Sequence, residues 1–169
     1  MIPRAHLTAW RAIAPWVDDA QVERDLVLSR AVVELFTDAE LAESLALRGG
    51  TALSKLFIQP ANRYSEDIDL VQVRSGAIGG VLNAIRRRLD PWLERPKRSS
   101  GEASVTLTYR FESEVPPVCP LRLKIEINTR EHFAVLEYNQ LPHRVDNPWF
   151  TGEADVTSTS AAELPLRGT

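Results

Sequence analysis

The sequence predicts an α+β fold: a mixed sheet flanked by helices, with an N-terminal helical segment in front of it. Three observations carry that expectation. Apolar residues recur at helical spacing over residues 7–45. Two later stretches, 105–111 and 121–127, alternate apolar and polar side chains as half-buried strands do. A glycine pair, Gly49-Gly50, is followed by an apolar run at 68–71 that reads as a third strand. With 169 residues, 44% of them hydrophobic and 25% charged, the chain has the composition of one globular domain with a core of its own.

Taken in order, Leu7, Trp10 and Ala14 give a short first helix, with Pro3 or Thr8 at its start. Asp18 and Asp19 then supply an N-cap and the negative charge that a helix N-terminus favours. Behind them Val22, Leu26, Leu28, Val32, Val33, Leu35 and Phe36 form a buried stripe. Asp38 caps a shorter segment through Leu41 and Leu45, which gives way to a strand over 45–47. The glycine pair stops that strand, and 51–57 reads as a helix ended by Pro60, with a polar loop over 59–65. After the strand at 68–71, residues 76–80 turn the chain, and Val81, Leu82, Ile85 and Leu89 mark a helix running into Pro91. Residues 95–101 read as a charged loop. The alternating stretches, joined through Pro116-Pro117, read as an antiparallel pair. From Thr151 the chain becomes small and polar. The domain is therefore expected over 1–156, with helices in 1–46 and the sheet core in 47–156, and 157–169 as a frayed tail.

A net charge of -3 gives no global attraction to nucleic acid, so any such contact needs a local basic patch. Arg86-Arg87-Arg88, or Arg95 with Lys97 and Arg98, are the candidates; the alternative is a solvated helix end. Cys119 is the one cysteine, which excludes an internal disulfide and a cysteine-built zinc site and points to a reducing compartment, the cytoplasm. There is no signal-peptide pattern and no run of roughly 18 apolar residues, so a membrane is not an expected partner. His6, His132 and His143 lack metal-ligand spacing, and Trp10, Trp16, Trp92 and Trp149 read as packing residues.

The chemistry concentrates in residues 48–69. Gly49 and Gly50 let backbone approach a phosphate closely, Thr51 adds a hydroxyl, and Lys55 adds a positive charge one helical turn later. The spacing is not that of a Walker P-loop. Asp67 and Asp69 have period 2 on a strand and so project from one face, where two carboxylates suit Mg²⁺ with substrate phosphates in its shell. Arg122, Lys124, Glu126 and Asn128 form the polar face of the later strand, and Glu126 is expected to meet the aspartates across the sheet. Either motif alone is ordinary; together they suit metal-assisted chemistry on a nucleoside triphosphate.

The wording RGGTALSKL…RYSEDIDL resembles the nucleotidyltransferase superfamily, and within it the AbiEii-type toxin nucleotidyltransferases of type IV toxin–antitoxin systems. The likeness is specific over residues 47–71, continues in Leu123-Lys124-Ile125-Glu126-Ile127, and is looser in the N-terminal helices. It implies a nucleotidyltransferase-like fold and a transfer dependent on Mg²⁺ or Mn²⁺. A nucleotide would pass from a nucleoside triphosphate to an acceptor, tRNA 3′ ends being acceptors for some members, under restraint by a cognate antitoxin. Carried over by position, Gly49, Gly50, Thr51, Lys55, Arg63 and Ser65 would hold the triphosphate. Asp67, Asp69 and Glu126 would hold the metal, with Asp67, Asp69, Lys124 and Glu126 as the catalytic set. Members of this group usually continue into a longer helical region with a lysine-rich motif and a further aspartate, which is not found here after Thr157. Two other readings stay open: a nucleotide- or antitoxin-binding module with weak or no turnover, and a transferase acting on a small molecule.

Overall fold

The computed structural model describes residues 2–52, 66–129 and 138–159. Its longest helix, α2 (Asp19–Phe36), follows the short α1 (Arg4–Trp10) and is buried along nearly its whole length, because its apolar stripe faces a sheet while its flanks meet other helices. Asp18 stands at its N-cap position without a side-chain capping bond, and Asp19 pairs with Arg11. The short α3 (Ala39–Ser44) begins as expected: Asp38 Oδ1 accepts from the Leu41 amide at 3.2 Å. It leads directly into β1 (Leu45–Arg48), where the sequence places a strand over 45–47.

One turn of helix, α4 (Gly49–Ala52), precedes β2 (Asp67–Gln72), and α5 (Gly79–Leu93) follows. Pro91 does not end α5, which runs two residues further. The missing proline amide costs little there, in the last turn, where the carbonyl it would have served belongs to solvent-facing Arg87. Glu94 then reverses the chain with φ 67. The expected charged loop contains a strand, β3 (Lys97–Ser100), fully exposed and paired antiparallel with β4 (Ser104–Glu112). β4 pairs antiparallel with β5 (Pro120–Asn128) over its whole length, as the alternation predicts. A last hairpin, β6 (Tyr138–Asn147) and β7 (Phe150–Thr159), was not expected. It draws Thr157, Ser158 and Thr159 into the sheet rather than into a frayed tail; residues 160–169 lie outside the described residues.

The seven strands lie in the order β3-β4-β5-β2-β1-β7-β6, with β2 parallel to β5 and β1 parallel to β7. One face is apolar. Leu45, Leu47, Ile68, Leu70, Val105, Leu107, Tyr109, Leu123, Ile125 and Ile127 share a single core with α1, α2, α3 and α5, so the N-terminal helices are a layer of the same domain. Several polar groups inside this layer are bonded. Asp25 accepts from the indoles of Trp10 and Trp16 at 2.9 and 3.0 Å, Tyr109 donates to Asp90 at 2.7 Å, and Ser158 donates to the Leu47 carbonyl at 3.0 Å. The Arg30 guanidinium is enclosed by the rings of Trp92, Trp149 and Phe150, 4.2 to 4.8 Å from their centroids. The tryptophans are thus packing residues.

Candidate active site

On the other face of the sheet the strand register brings together residues far apart in sequence. Asp67 stands beside Lys124 and Asp69 beside Glu126 across the parallel β2/β5 pair, while Arg48 of β1 flanks Asp69 from the opposite side. Paired residues of neighbouring strands project to one face, so the two aspartates, Lys124, Glu126 and Arg48 line one patch. The side chains of Lys124 and Glu126 are partly exposed and form an ion pair at 3.8 Å. Arg24 of α2 donates to Glu66 at 2.6 Å and so fastens the start of β2 to the helical layer.

The glycine turn sits against this patch. Gly49 has φ +79, a conformation that side chains other than hydrogen strongly disfavour, and a Cβ there would lie 2.7 Å from Asp69 Oδ2. Glycine is therefore required twice over, by the backbone and by the carboxylate. Burial raises the pKa of Asp69; the charges of Glu126 and Asp67 push the same way, and Arg48 and Lys124 only partly offset them. A carboxylate so placed gains from any cation brought to it.

Among the described residues, no three His, Cys, Asp or Glu side chains are gathered closely enough to cage a metal ion. Mg²⁺ does not need such a cage, since it is usually held by one or two carboxylates, with waters and substrate phosphates completing its shell. The all-oxygen donor set of Asp67 and Asp69, with Glu126 next in register, fits that kind of ion. Gly50 and Thr51 lie in the backbone of α4, whereas Lys55, Arg63 and Ser65 fall outside the described residues. Arg48 is the neighbour that local pattern does not reveal, because its place beside Asp69 depends on the β1/β2 register.

The basic runs behave differently from one another. Arg86, Arg87 and Arg88 each pair with a carboxylate, Asp90, Glu40 and Asp38 at 3.0, 3.6 and 3.2 Å, so this run is an ion-paired helix surface. Burial raises the carboxyl of Asp38, but the Leu41 amide and Arg88 outweigh it and hold the group below its ordinary range. Lys97 and Arg98 lie on exposed β3. His143 is buried with Nε2 3.2 Å from the Ser29 carbonyl, and His132 lies outside the described residues. The Cys119 amide donates to Ser113 Oγ at 2.9 Å within the β4–β5 connection. No described helix is long and apolar enough to cross a membrane.

Residues 30–164 match the family described as nucleotidyl transferase AbiEii toxin, type IV TA system. The chain belongs to this AbiEii family. The matched span runs from the middle of α2 through β7 and takes in Gly49, both aspartates, Lys124 and Glu126. Several solved structures share the fold, MenT4 and JHP933 among them. MenT4, a nucleotidyltransferase toxin from Mycobacterium tuberculosis H37Rv, aligns with TM-score 0.67 at 16% identity over 96% of this chain and 56% of its own. JHP933 from Helicobacter pylori aligns with TM-score 0.59 at 19% identity over 86% of this chain and 54% of its own. The AbiEii chain thus spans a little over half the length of these structures. No curated protein matches it.

Proposed function

We propose that the chain is a metal-dependent nucleotidyltransferase. It moves a nucleotide from a nucleoside triphosphate to an RNA acceptor such as tRNA, in the cytoplasm, as the toxin of a pair restrained by a cognate antitoxin. The observation that carries this reading is the register that sets Asp67 beside Lys124 and Asp69 beside Glu126, with Gly49 against Asp69. Family membership supports the reaction class, and the described site supports the assignment of roles.

Asp67 and Asp69, with Glu126, would hold Mg²⁺ or Mn²⁺, which when bound supplies positive charge against the reacting phosphate. The chain's own residues do the rest. The Gly49-Gly50 turn, with Thr51, Lys55, Arg63 and Ser65, receives the triphosphate. Lys124 adds charge beside the acids. Glu126 takes up the proton lost by the acceptor hydroxyl as that oxygen bonds to the α-phosphorus and pyrophosphate leaves.

The test is to incubate the protein with Mg²⁺, each labelled nucleoside triphosphate and either total tRNA or small hydroxylated acceptors. Label on tRNA that disappears with Asp69→Asn is the expected result. Triphosphate binding with no transfer to any acceptor would instead make this a binding module, and label on small molecules alone would make it a small-molecule transferase.

A further inference from the structure

Arg110 of β4 and Arg122 of β5 are direct partners across the antiparallel pair, both exposed and on the same face as Asp67 and Asp69. Like charges directly opposite on a sheet cost stability. Here nothing offsets the cost: among the described residues neither arginine has a carboxylate within ion-pair distance, and Glu112, two residues beyond Arg110, does not pair with it. The contrast with α5 is direct, since each of its three consecutive arginines has an acid. Two residues beyond Arg122, about 6.7 Å along the strand, comes Lys124. Its partner on β4 is Thr108, which in turn faces Lys97 of β3. Four cations therefore occupy one face of three adjacent strands.

Their position relative to the acids matters as much as their charge. Gly49 and Arg48 lie on the β1 side of Asp69, and the cationic strands lie on the β5 side. In-line transfer needs the attacking hydroxyl and the departing pyrophosphate on opposite sides of the phosphorus. If pyrophosphate leaves toward the glycine turn, the acceptor arrives over β5 and β4. A neutral small acceptor has no use for unpaired arginines there, whereas a phosphodiester strand does.

We propose that Arg110 and Arg122, with Lys97, form the track that holds the phosphate backbone of a single-stranded RNA acceptor and delivers its 3′ hydroxyl to the acids; this rests on the nucleotidyl-transfer reading above. The test compares the full chain with the double variant Arg110→Gln/Arg122→Gln. The first readout needs no turnover: titration of a short fluorescent oligoribonucleotide against salt. The variant is expected to bind roughly tenfold more weakly, with the slope of log affinity against log salt reduced by about 1.4, or 0.7 for each lost phosphate contact. Its thermal midpoint should stay level or rise, because a like-charge pair has been removed. The second readout is transfer: KM for RNA should rise while KM for the triphosphate holds. RNA affinity and salt slope equal to the parent's would overturn the track, even where transfer stands and the nucleotidyltransferase reading survives. Loss of antitoxin binding without loss of RNA binding would also overturn it, by making the row a protein surface. Absence of transfer in the parent would sink the nucleotidyltransferase reading separately, since the RNA titration is read without it.

Discussion

The two faces of the sheet treat charge in opposite ways. On the helix-covered face, buried polar groups are few and nearly all satisfied: Asp25 between two indoles, Tyr109 on Asp90, Ser158 on a carbonyl. On the other face, the carboxylates of Asp67 and Glu126 act on Asp69, and two arginines stand opposite each other without an acid partner among the described residues. The covered face is arranged for stability, and its polar groups hold layers together. The open face keeps repulsions that folding alone would remove, which is expected where charge is reserved for a ligand.

The strongest way to break that distinction is Asp69→Asn. If Asp69 serves chemistry rather than the fold, nucleotide transfer should fall at least about a hundredfold. The thermal midpoint should hold or rise, because a half-buried charge that Glu126 and Asp67 repel has gone. A large loss of stability with residual transfer would put Asp69 on the structural side. Next comes Gly49→Ala, which should damage both properties. The backbone at φ +79 costs about 1–2 kcal/mol with a Cβ present, and the 2.7 Å approach to Asp69 Oδ2 forces that carboxylate to move, so transfer should fall about tenfold or more. Denaturant midpoints and initial rates measured on one preparation would check both.

On the covered face, Tyr109→Phe should do the reverse. The ring is fully buried, and its hydroxyl donates to Asp90 at 2.7 Å; burial and that acid hold the phenol well above its ordinary range. Losing the hydrogen bond should cost about 1–2 kcal/mol in urea unfolding and leave transfer kinetics unchanged. A change in kcat with stability intact would mean that the two faces are coupled through β4.

How much of this was legible in the sequence depended on how local the signal was. The stripe of α2, the Asp38 cap and the alternation of β4 and β5 follow from spacing alone, and each stands where it was expected. β3 carries no apolar residue in Lys97–Ser100 and so has the pattern of a loop; it is a strand through backbone pairing with β4 alone. β6 carries Pro142 and a polar sequence, which a strand at the sheet edge tolerates because one side needs no hydrogen-bond partner. Ser158 looked like tail composition, yet it is fully buried because β1 beside it offers the Leu47 carbonyl to its hydroxyl. For the site, period 2 put Asp67 and Asp69 on one face. The polar face of β5 already aimed Glu126 at them, but the register that also sets Lys124 beside Asp67 is a parallel pairing across about a third of the chain, which no local pattern states.

The smallest effect tests a covered-face group that departs from the rule. Glu23 is completely buried, its Oε1 accepts from the Glu114 amide at 2.7 Å, and its Oε2 has no hydrogen-bond partner among the described residues. Burial pushes the carboxyl above its ordinary value of 4.5, against the pull of the Glu114 amide. Because the folded pKa is the higher one, the folded state binds this proton more tightly. The resulting stability is fully present below the unfolded value and is lost as pH rises through the folded one. Glu23→Gln keeps an acceptor for Glu114 and abolishes the ionisation, so near pH 7 it should stabilise the protein by no more than about 1 kcal/mol, since the amide's own donors replace one unsatisfied atom with another. Toward pH 4 the gain should vanish, where Glu23 is already protonated in the parent. Thermal midpoints of parent and variant across that interval decide the matter. An offset that does not change with pH would mean that Glu23 is as fully compensated as Asp25.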